Sequence, residues 1–233
     1  GSCRSVCLIT SGNPIYLDNK IKCRIRRNNA FMSDYSIFLR YLVINCFRHY
    51  SKHREADKVG FRLNGVSDYA WEDFSVKLTS EDTDYIKKAF NIYIEPIRYG
   101  SVIEAVQKAI DLNNNQLLKN SVQFYDYTKR IDRNFDKCKN ELNYHLTLSH
   151  GSKHDTFKKA LELGLNYAAA FNLKKSQDLP KQFTYKGIKL NVIDGDITDY
   201  RPLDNDNKTN IVGLHFKIVV NKDNAKKLDF CIA

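Results

Sequence analysis

The chain has 233 residues, of which 42% are hydrophobic, and a formal net charge of +10 at pH 7. This length can bury a sizeable core and indicates one α/β domain over residues 1–233. A charged fraction of 27% with only four prolines argues against disorder, and no apolar run approaches the roughly 20 residues of a membrane helix. With no secretory signal and no secreted-type cysteine framework, we expect a cytoplasmic protein without a membrane partner.

The first half of the chain is predicted to alternate helices with short strands. Residues 1–30 show no clear period and are expected to form an irregular, cysteine-containing segment. Apolar residues then recur at steps of three and four from Ala30 to about Arg54, which is typical of an amphipathic helix. A strand is expected over Val59–Asn64. Helices are expected over Asp82–Phe90 and from Ser101 to about Leu112, the second opened by a capping box.

The second half is dominated by strands that read as buried apolar runs, with a weaker helix expected over Ile131–Lys139 and another helix that ends at Gly164. The predicted strands are Ser121–Tyr127, Tyr144–Ser149, Tyr167–Phe171, Ile188–Ile193 and Ile211–Val220. Such runs, alternating with helices, indicate a parallel sheet covered by helices, either a partial barrel or a doubly wound sheet. Their spacing of roughly 21 to 24 residues is shorter than the ~30 of a complete barrel unit. We therefore expect an α/β fold: a partial (β/α) barrel with mostly parallel strands and short crossovers.

Basic residues are concentrated between Lys20 and Lys58. Ten Lys or Arg residues stand there against the acids Asp34, Glu55 and Asp57, so this segment alone carries +7. A local basic surface attracts nucleic acid, nucleotides or other phosphates. The alternative is a solvated helix face that binds no partner.

Two cysteines near the start, Cys3 and Cys7, are separated by three residues. This spacing lets two thiolates reach one metal ion or iron–sulfur cluster through a tight backbone loop. A cluster usually takes three or four cysteines, so a further ligand is needed, either a residue upstream or Cys23. The alternative is that both are free thiols. Cys46 and Cys231 stand in apolar surroundings and are expected to be buried.

A strand near the middle of the chain carries two polar residues on one face. Within Tyr144–Leu148, His145 and Thr147 alternate with apolar residues and therefore point to the same side. This is half of the motif of two-histidine phosphoesterases, in which one histidine acts as base and the other as acid. His215 begins the matching pattern, but Lys217 replaces the second threonine. The alternative is two histidines packed in or beside strands.

Aromatic and charged side chains leave the strand at Ser121–Tyr127. Tyr125, Tyr127 and Lys129 suit stacking on a base and pairing with a phosphate, and Asp126 lies among them. The alternative is an aromatic strand end that packs on its neighbours.

Two further strands end in polar side chains. Asn64 and Asp68 follow the first strand and suit hydrogen bonding to a polar ligand. Asp194 and Asp196, with Asp199, follow a later strand and suit a divalent cation that takes oxygen ligands. The alternative for both sets is that these side chains satisfy the backbone of turns or cap a short helix.

Taken in order, these segments resemble a family of phage and plasmid proteins usually labelled gene product 88. The matching segments are Cys3 to Leu8, Arg26-Arg27 with Phe31, Arg62 to Glu72, Phe124 to Lys129, Tyr144 to Thr147, Asp194 to Arg201, and Ile211 to Leu214. The match covers nearly the whole chain and is specific as a set. This sequence departs from the family pattern in lacking an upstream Cys-Pro element.

The resemblance implies an iron–sulfur cluster held by Cys3 and Cys7, as in barrel-type radical enzymes. The strand ends would then form one pocket. Its catalytic residues would be Asp126, Lys129, His145 and Thr147, and its substrate-binding residues Asn64, Asp68, Tyr125, Asp194, Asp196 and Arg201. Thr10 stands where the third cysteine of the radical S-adenosylmethionine motif would be, which argues against that cofactor.

Three functions follow from these observations. The first is an iron–sulfur or metal-binding barrel enzyme that acts on a nucleotide-like or phosphate-bearing substrate in the host cytoplasm. The second is a nucleic-acid-binding accessory protein that uses the Lys20–Lys58 surface with Tyr125 and Tyr127. The third is a phosphoesterase that uses His145 and His215.

Overall fold

An open, mostly parallel β-sheet organises the part of the chain that the structure describes. The structure is a computed structural model, and it describes residues 18–56, 58–65, 67–113, 121–151, 155–204, 208–216 and 231–232. Cys3, Cys7 and the second half of the strand expected over 211–220 lie outside these ranges. None of the helices within them is long and apolar enough to cross a membrane.

Seven strands form the main sheet and two form a small separate ribbon. In chain order the strands are β1 (Lys58–Phe61), β2 (Val76–Lys77), β3 (Arg98–Tyr99), β4 (Ser121–Thr128), β5 (Tyr144–Ser149), β6 (Tyr167–Phe171), β7 (Gln182–Tyr185), β8 (Ile188–Asp194) and β9 (Ile211–His215). The main sheet has the order β1-β4-β5-β6-β9-β8-β7, and β2 pairs with β3. Every pair in the main sheet is parallel except the β7–β8 hairpin, which confirms the α/β class with mostly parallel strands.

The described strands do not close into the predicted partial barrel. Strands β4, β5 and β6 are added one after another in the same direction. The chain then moves to the far edge of the sheet as β7 and β8 and returns, so that β9 is inserted between β6 and β8. A barrel requires the first and last strands to pair, whereas here β1 and the antiparallel β7 are the two edges. Regular strand spacing along the chain carries no information about such an insertion.

Five α-helices accompany the sheet in the described ranges. They are α1 (Asp18–Ser33), α2 (Tyr35–Lys52), α3 (Ser80–Phe90), α4 (Val102–Asn113) and α5 (Thr156–Leu163). Helix α1 corrects the expectation of an irregular segment over residues 1–30. It lacks an apolar period because Phe31 is its only buried residue. The helix predicted from Ala30 is in fact two helices that meet at Asp34, whose side chain accepts the Ile37 N–H at 3.0 Å and caps α2.

The other helix ends follow standard capping chemistry. Thr79 and Asp82 form a capping box at α3. Before α4, Ser101 Oγ accepts the Glu104 N–H at 3.0 Å, and the Glu104 carboxylate reaches back to the Gly100 N–H at 2.6 Å. Helix α5 ends at Gly164, whose φ of +63° lies in the left-handed region that glycine adopts without steric cost.

The two faces of the sheet are covered differently. On the helix face, Val122 and Phe124 of β4 join one large apolar core, and Phe61 of β1 packs against α2. The other face is covered by residues 195–204, which we call the strap. The strap leaves β8, crosses β9 and β6, and lies over β4 and β5 before the chain returns to β9.

Two glycines allow the strap to lie close to the sheet. A Cβ atom at Gly195 would lie 2.7 Å from Val212 and 3.0 Å from the Gly213 carbonyl oxygen. A Cβ atom at Gly60 in β1 would lie 2.7 Å from the ring of Tyr200 in the strap. Close packing of the strap therefore requires residues without side chains at both positions.

Substitution of Gly60 tests the packing of the strap. In Gly60→Ala the new methyl group overlaps the Tyr200 ring, and overpacking of this kind typically costs about 1–3 kcal/mol of the free energy of unfolding. Gly65→Ala is the matched control, because a Cβ atom at Gly65 would have no other atom within 4 Å. Urea unfolding of both variants should show a loss for the first and little change for the second. Equal stabilities would contradict this position of the strap.

Candidate functional site

Asp126 lies at the centre of a buried polar network on the helix face. Its Oδ1 accepts the Asn64 backbone N–H at 2.8 Å, and its Oδ2 accepts the Tyr144 hydroxyl at 2.5 Å. Burial is the main influence on the pKa of Asp126 and raises it from 3.8 to about 6, in spite of the two hydrogen bonds and the nearby Arg133 and Arg62 charges. Both oxygens of the Asp126 carboxyl group therefore already accept hydrogen bonds from the protein.

A fully buried ion pair lies beside Asp126. Arg133 donates to the Glu72 carboxylate through Nε at 2.9 Å and through a terminal nitrogen at 2.5 Å, and both side chains have no exposed surface. The Arg133 guanidinium also lies 5.1 Å from the centre of the Tyr144 ring and 3.9 Å from Asp68. Glu72 and Arg133 are absent from the predicted site, and Arg133 stands in a charged connection whose local pattern gives no signal of burial.

Two other predicted site residues, Asn64 and Asp68, serve the same network. Asn64 Oδ1 accepts hydrogen bonds from the Ser67 hydroxyl, the Tyr69 N–H and the Trp71 indole. Asp68 accepts the Thr128 hydroxyl and the Lys129 backbone N–H, each at 2.7 Å. Asn64, Asp68, Asp126, Glu72, Arg133 and Tyr144 together are called the strand-end network. Its described contacts hold the ends of β1 and β4 in place.

A second polar cluster lies on the opposite face of β4 and β5, under the strap. Arg62 donates to Asp199 of the strap at 2.5 Å, and its guanidinium lies 4.8 Å from the centre of the Tyr127 ring. Tyr127 and Thr147 are register neighbours, as are Tyr125 and His145. We call Arg62, Tyr127, His145, Thr147, Asp199 and Arg201 the strap cluster. The cluster combines residues from the four segments in which polar side chains were predicted in or after a strand.

His145 is held as a neutral imidazole in the strap cluster. Burial, and to a smaller extent the nearby Arg201 charge, together lower its pKa from 6.5 to about 4. His145 Nε2 lies 3.5 Å from the hydroxyl of Thr147, as the alternation of the strand predicts. The ring is therefore available at pH 7 as a hydrogen-bond acceptor.

Arg201 is fully buried beside His145. Its guanidinium donates to the Thr198 carbonyl and lies 3.0 Å from the Asp204 carboxylate. Its Nε, like the Nε of Arg62, is buried without a hydrogen bond to any described residue. Buried donors without a partner are uncommon in proteins, and an unseen ion, water or ligand is a frequent explanation.

Two tyrosines border the strap cluster. Tyr200 of the strap and Tyr125 of β4 meet edge to face, with ring centres 5.3 Å apart, and Tyr200 covers Gly60. The predicted pocket therefore consists of two regions on opposite faces of the sheet. Tyr125, His145, Thr147 and Arg201 lie on one face, whereas Asn64, Asp68 and Asp126 lie on the other.

Two more predicted site residues lie where β8 passes into the strap, Asp194 at the end of β8 and Asp196 in the strap. Asp194 accepts the Asp196 N–H at 2.9 Å, which agrees with the alternative that these carboxylates satisfy a turn. The Asp196 carboxylate in turn accepts a hydrogen bond from the backbone N–H of His215 at 2.8 Å. The same carboxylate lies 2.8 Å from Nδ1 of the His215 ring. His215 Nε2 lies 2.7 Å from the Gln177 carbonyl oxygen. Acceptors at both ring nitrogens favour the imidazolium, in agreement with the raised pKa of His215.

The structure separates the two histidines of the phosphoesterase hypothesis. Leu148, Tyr167 and Ile211 are aligned in neighbouring strands, and His145 lies three residues before this line while His215 lies four residues after it. At about 3.3 Å per residue the two histidines are roughly 23 Å apart along the strands, and they project from opposite faces. A mechanism in which both flank one phosphate is incompatible with this geometry.

The described residues contain no group of three or more His, Cys, Asp or Glu side chains that could hold a metal ion. Cys46 and Cys138 are buried, and burial raises the pKa of each thiol to about 12. Such thiols remain protonated and are poor metal ligands. Cys231, which was expected to be buried, is only partly buried, and this burial raises its pKa to about 11. Cys23 on α1 is half-buried.

Fold and site define an open α/β protein with a rigid strand-end network on one face and a strap-covered polar cluster on the other. The sequence comparison identifies its family: the chain belongs to the Gene product 88 family, whose family model matches residues 1–233. This confirms the resemblance drawn from the sequence motifs. No curated protein and no solved structure gives a match. Family membership by itself specifies no reaction.

The raised pKa of Asp126 predicts a pH-dependent effect of its removal. Between about pH 4 and 6 the folded protein binds more protons at this site than the unfolded chain does, so the stability contributed by Asp126 falls as the pH rises. Two pKa units correspond to about 3 kcal/mol. Relative to the unsubstituted protein, Asp126→Asn should therefore gain most of this, about 2 kcal/mol of unfolding free energy, between pH 4 and pH 7.

Urea unfolding at several pH values measures this difference. Asp84→Asn, on the exposed surface of α3, is the matched control. If the difference in unfolding free energy between Asp126→Asn and the unsubstituted protein is the same at every pH, the pKa of Asp126 is not raised in the folded protein.

Proposed function

We propose that this protein binds a phosphate-bearing, nucleotide-like ligand on the strap face of β4 and β5. The observation that carries the proposal is the pair of buried Nε donors of Arg62 and Arg201, which make no hydrogen bond to a described residue. Guanidinium groups form strong, directional hydrogen bonds with phosphate oxygens. A phosphate between the two arginines would supply the acceptors that the described protein groups do not.

The ion pair between Arg62 and Asp199 is one that a ligand could replace. The Asp199 side chain is 58% exposed, and ion pairs with such exposure contribute little to stability. Asp199 is therefore the acceptor that a phosphate would most easily replace at Arg62. Its position in the strap couples ligand binding to a local movement of the strap.

The neighbouring side chains suit the rest of such a ligand. The Thr147 hydroxyl and the neutral His145 ring lie together on the strap face, where they can donate to and accept from a sugar or phosphate. If the ligand is also turned over, His145 is the group we assign to proton transfer, because a neutral imidazole can accept a proton. The rings of Tyr125 and Tyr200 are placed beside the cluster to contact a base.

The two partners of the exposed ion pair should affect ligand binding in opposite directions. Arg62→Gln removes a charge-assisted hydrogen bond and should weaken binding about tenfold or more. Asp199→Asn removes the competing carboxylate and should strengthen it. Isothermal titration calorimetry with inorganic phosphate, adenosine monophosphate and uridine monophosphate measures both effects.

Arg98→Gln serves as the control for loss of an arginine, because this residue is exposed and donates only to the Ser75 hydroxyl among the hydrogen bonds described. Its affinities should equal those of the unsubstituted protein. Absence of binding at millimolar ligand, or equal binding by Arg62→Gln and the unsubstituted protein, would refute the proposal.

We also propose that an iron–sulfur cluster, the cofactor that the family resemblance implies, is held by Cys3, Cys7 and Cys23. The support from the described residues is indirect: Cys46 and Cys138 are protonated by burial, which leaves Cys23 as the described cysteine best suited to join the other two. When bound, such a cluster supplies electron transfer or Lewis-acid chemistry.

Elemental analysis tests the cluster. Anaerobically purified protein should contain iron and acid-labile sulfide and should absorb in the thiolate-to-iron region. Cys7→Ser should lose both, whereas Cys46→Ala should retain them. Protein free of iron after anaerobic purification, or iron that persists in Cys7→Ser, would eliminate this assignment.

A further inference from the structure

Helix α1 is strongly basic, with Lys22 and Arg26 on one side of the helix and Lys20 and Arg27 on the other. It contains the cations Lys20, Lys22, Arg24, Arg26 and Arg27 against one acid, Asp18, and no ion pair joins these cations to another described residue. Four of the five cations are exposed, the exception being the half-buried Arg24. Among the described residues, the aromatic contacts of α1 are at its end, where Phe31 packs among Phe38, Tyr69, Trp71 and Phe74. The exposed cations of α1 therefore face solvent.

Exposed aromatic rings follow this basic helix in the chain. Tyr35 begins α2, immediately after the junction with α1, and 57% of its surface is exposed. Tyr41, almost two turns further along α2, is 62% exposed. Rings of this exposure contribute little to the core. They are free to stack on an aromatic ligand, and each nucleic-acid base presents such a surface.

The charges and rings together favour a single-stranded nucleic acid over other anionic partners. A duplex keeps its bases stacked internally and would leave Tyr35 and Tyr41 unused. A membrane-surface helix needs a continuous apolar face, but the exposed Ile21, Ile25 and Met32 of α1 are interrupted by Asn28, which hydrogen-bonds Tyr69. A single strand uses both features, since its backbone pairs with cations and its bases stack on rings.

We propose that α1 and the first turns of α2 bind single-stranded nucleic acid. Lys20, Lys22, Arg26 and Arg27 contact the phosphates, and Tyr35 and Tyr41 stack on bases. This assignment differs from the sequence-based hypothesis in its aromatic partners, because Tyr125 and Tyr127 lie on the strap face of the sheet, within the other proposed site. The surface is independent of the strap cluster, so either site can fail its test without affecting the other.

Fluorescence anisotropy with a labelled 20-nucleotide thymidine oligomer tests the proposal on the full chain. Four phosphate contacts predict a slope of about −3 for the logarithm of the association constant against the logarithm of salt concentration. The double variant Lys22→Gln/Arg26→Gln should bind more weakly, with a slope reduced by about 1.4. Tyr41→Ala should weaken binding by about tenfold with the slope unchanged, because stacking releases no counterions.

Matched controls separate this surface from general charge attraction. Lys174→Gln/Lys175→Gln removes the same charge from the exposed loop after β6 and should bind as the unsubstituted protein does. Circular dichroism should show retained helix in each variant. The proposal is overturned if the two double variants lose affinity equally, or if Tyr41→Ala binds normally. It is also overturned if the α1 variant loses affinity for a duplex of the same length or for phosphatidylserine vesicles while its affinity for the oligomer is unchanged.

Discussion

The buried ion pair between Glu72 and Arg133 is the constraint on which the carboxyl end of the sheet depends. Both side chains lack exposed surface, and removing such charges from water costs several kcal/mol per ion. Two hydrogen bonds between them offset this cost only while the segment after β1 and the connection after β4 keep their relative positions. Lys137 adds a link at 2.6 Å to the Glu72 carbonyl oxygen. The pair thereby holds the ends of two neighbouring strands together.

The opposite face of the sheet is held by weaker interactions. The strap meets the sheet through glycine contacts, an aromatic pair and the exposed Asp199 carboxylate. Ligand-responsive parts of proteins are drawn from their less stable regions, so the strap face is the better place for exchange of a small ligand. Helix α1 is attached mainly through Phe31 and is likewise outside the rigid network. Both proposed binding surfaces thus border a scaffold that the Glu72–Arg133 pair keeps fixed.

Local patterns predicted most elements but not their arrangement. The strands β4, β5, β6 and β8 and the helices α3 to α5 carry apolar runs or caps, and they lie within a few residues of their predicted positions. Strand β7 was missed because it is an edge strand with two exposed residues and no apolar run. Helix α1 was missed because a helix that buries one residue shows no apolar period. The insertion of β9 between β6 and β8 depends on contacts between segments far apart in the chain, which local periodicity does not contain.

By itself, the sequence determined the α/β class, the family and the four segments that carry the polar residues. It also placed His145 and Thr147 on one side of a strand, because side chains alternate with a period of two. Only the tertiary structure decided which face each segment uses. Adjacent residues such as Tyr125 and Asp126 were grouped into one pocket, but alternation sends them to opposite sides of β4, one under the strap and one into the strand-end network. The register between strands and the path of the strap determine those partners, and both arise from packing over the whole sheet.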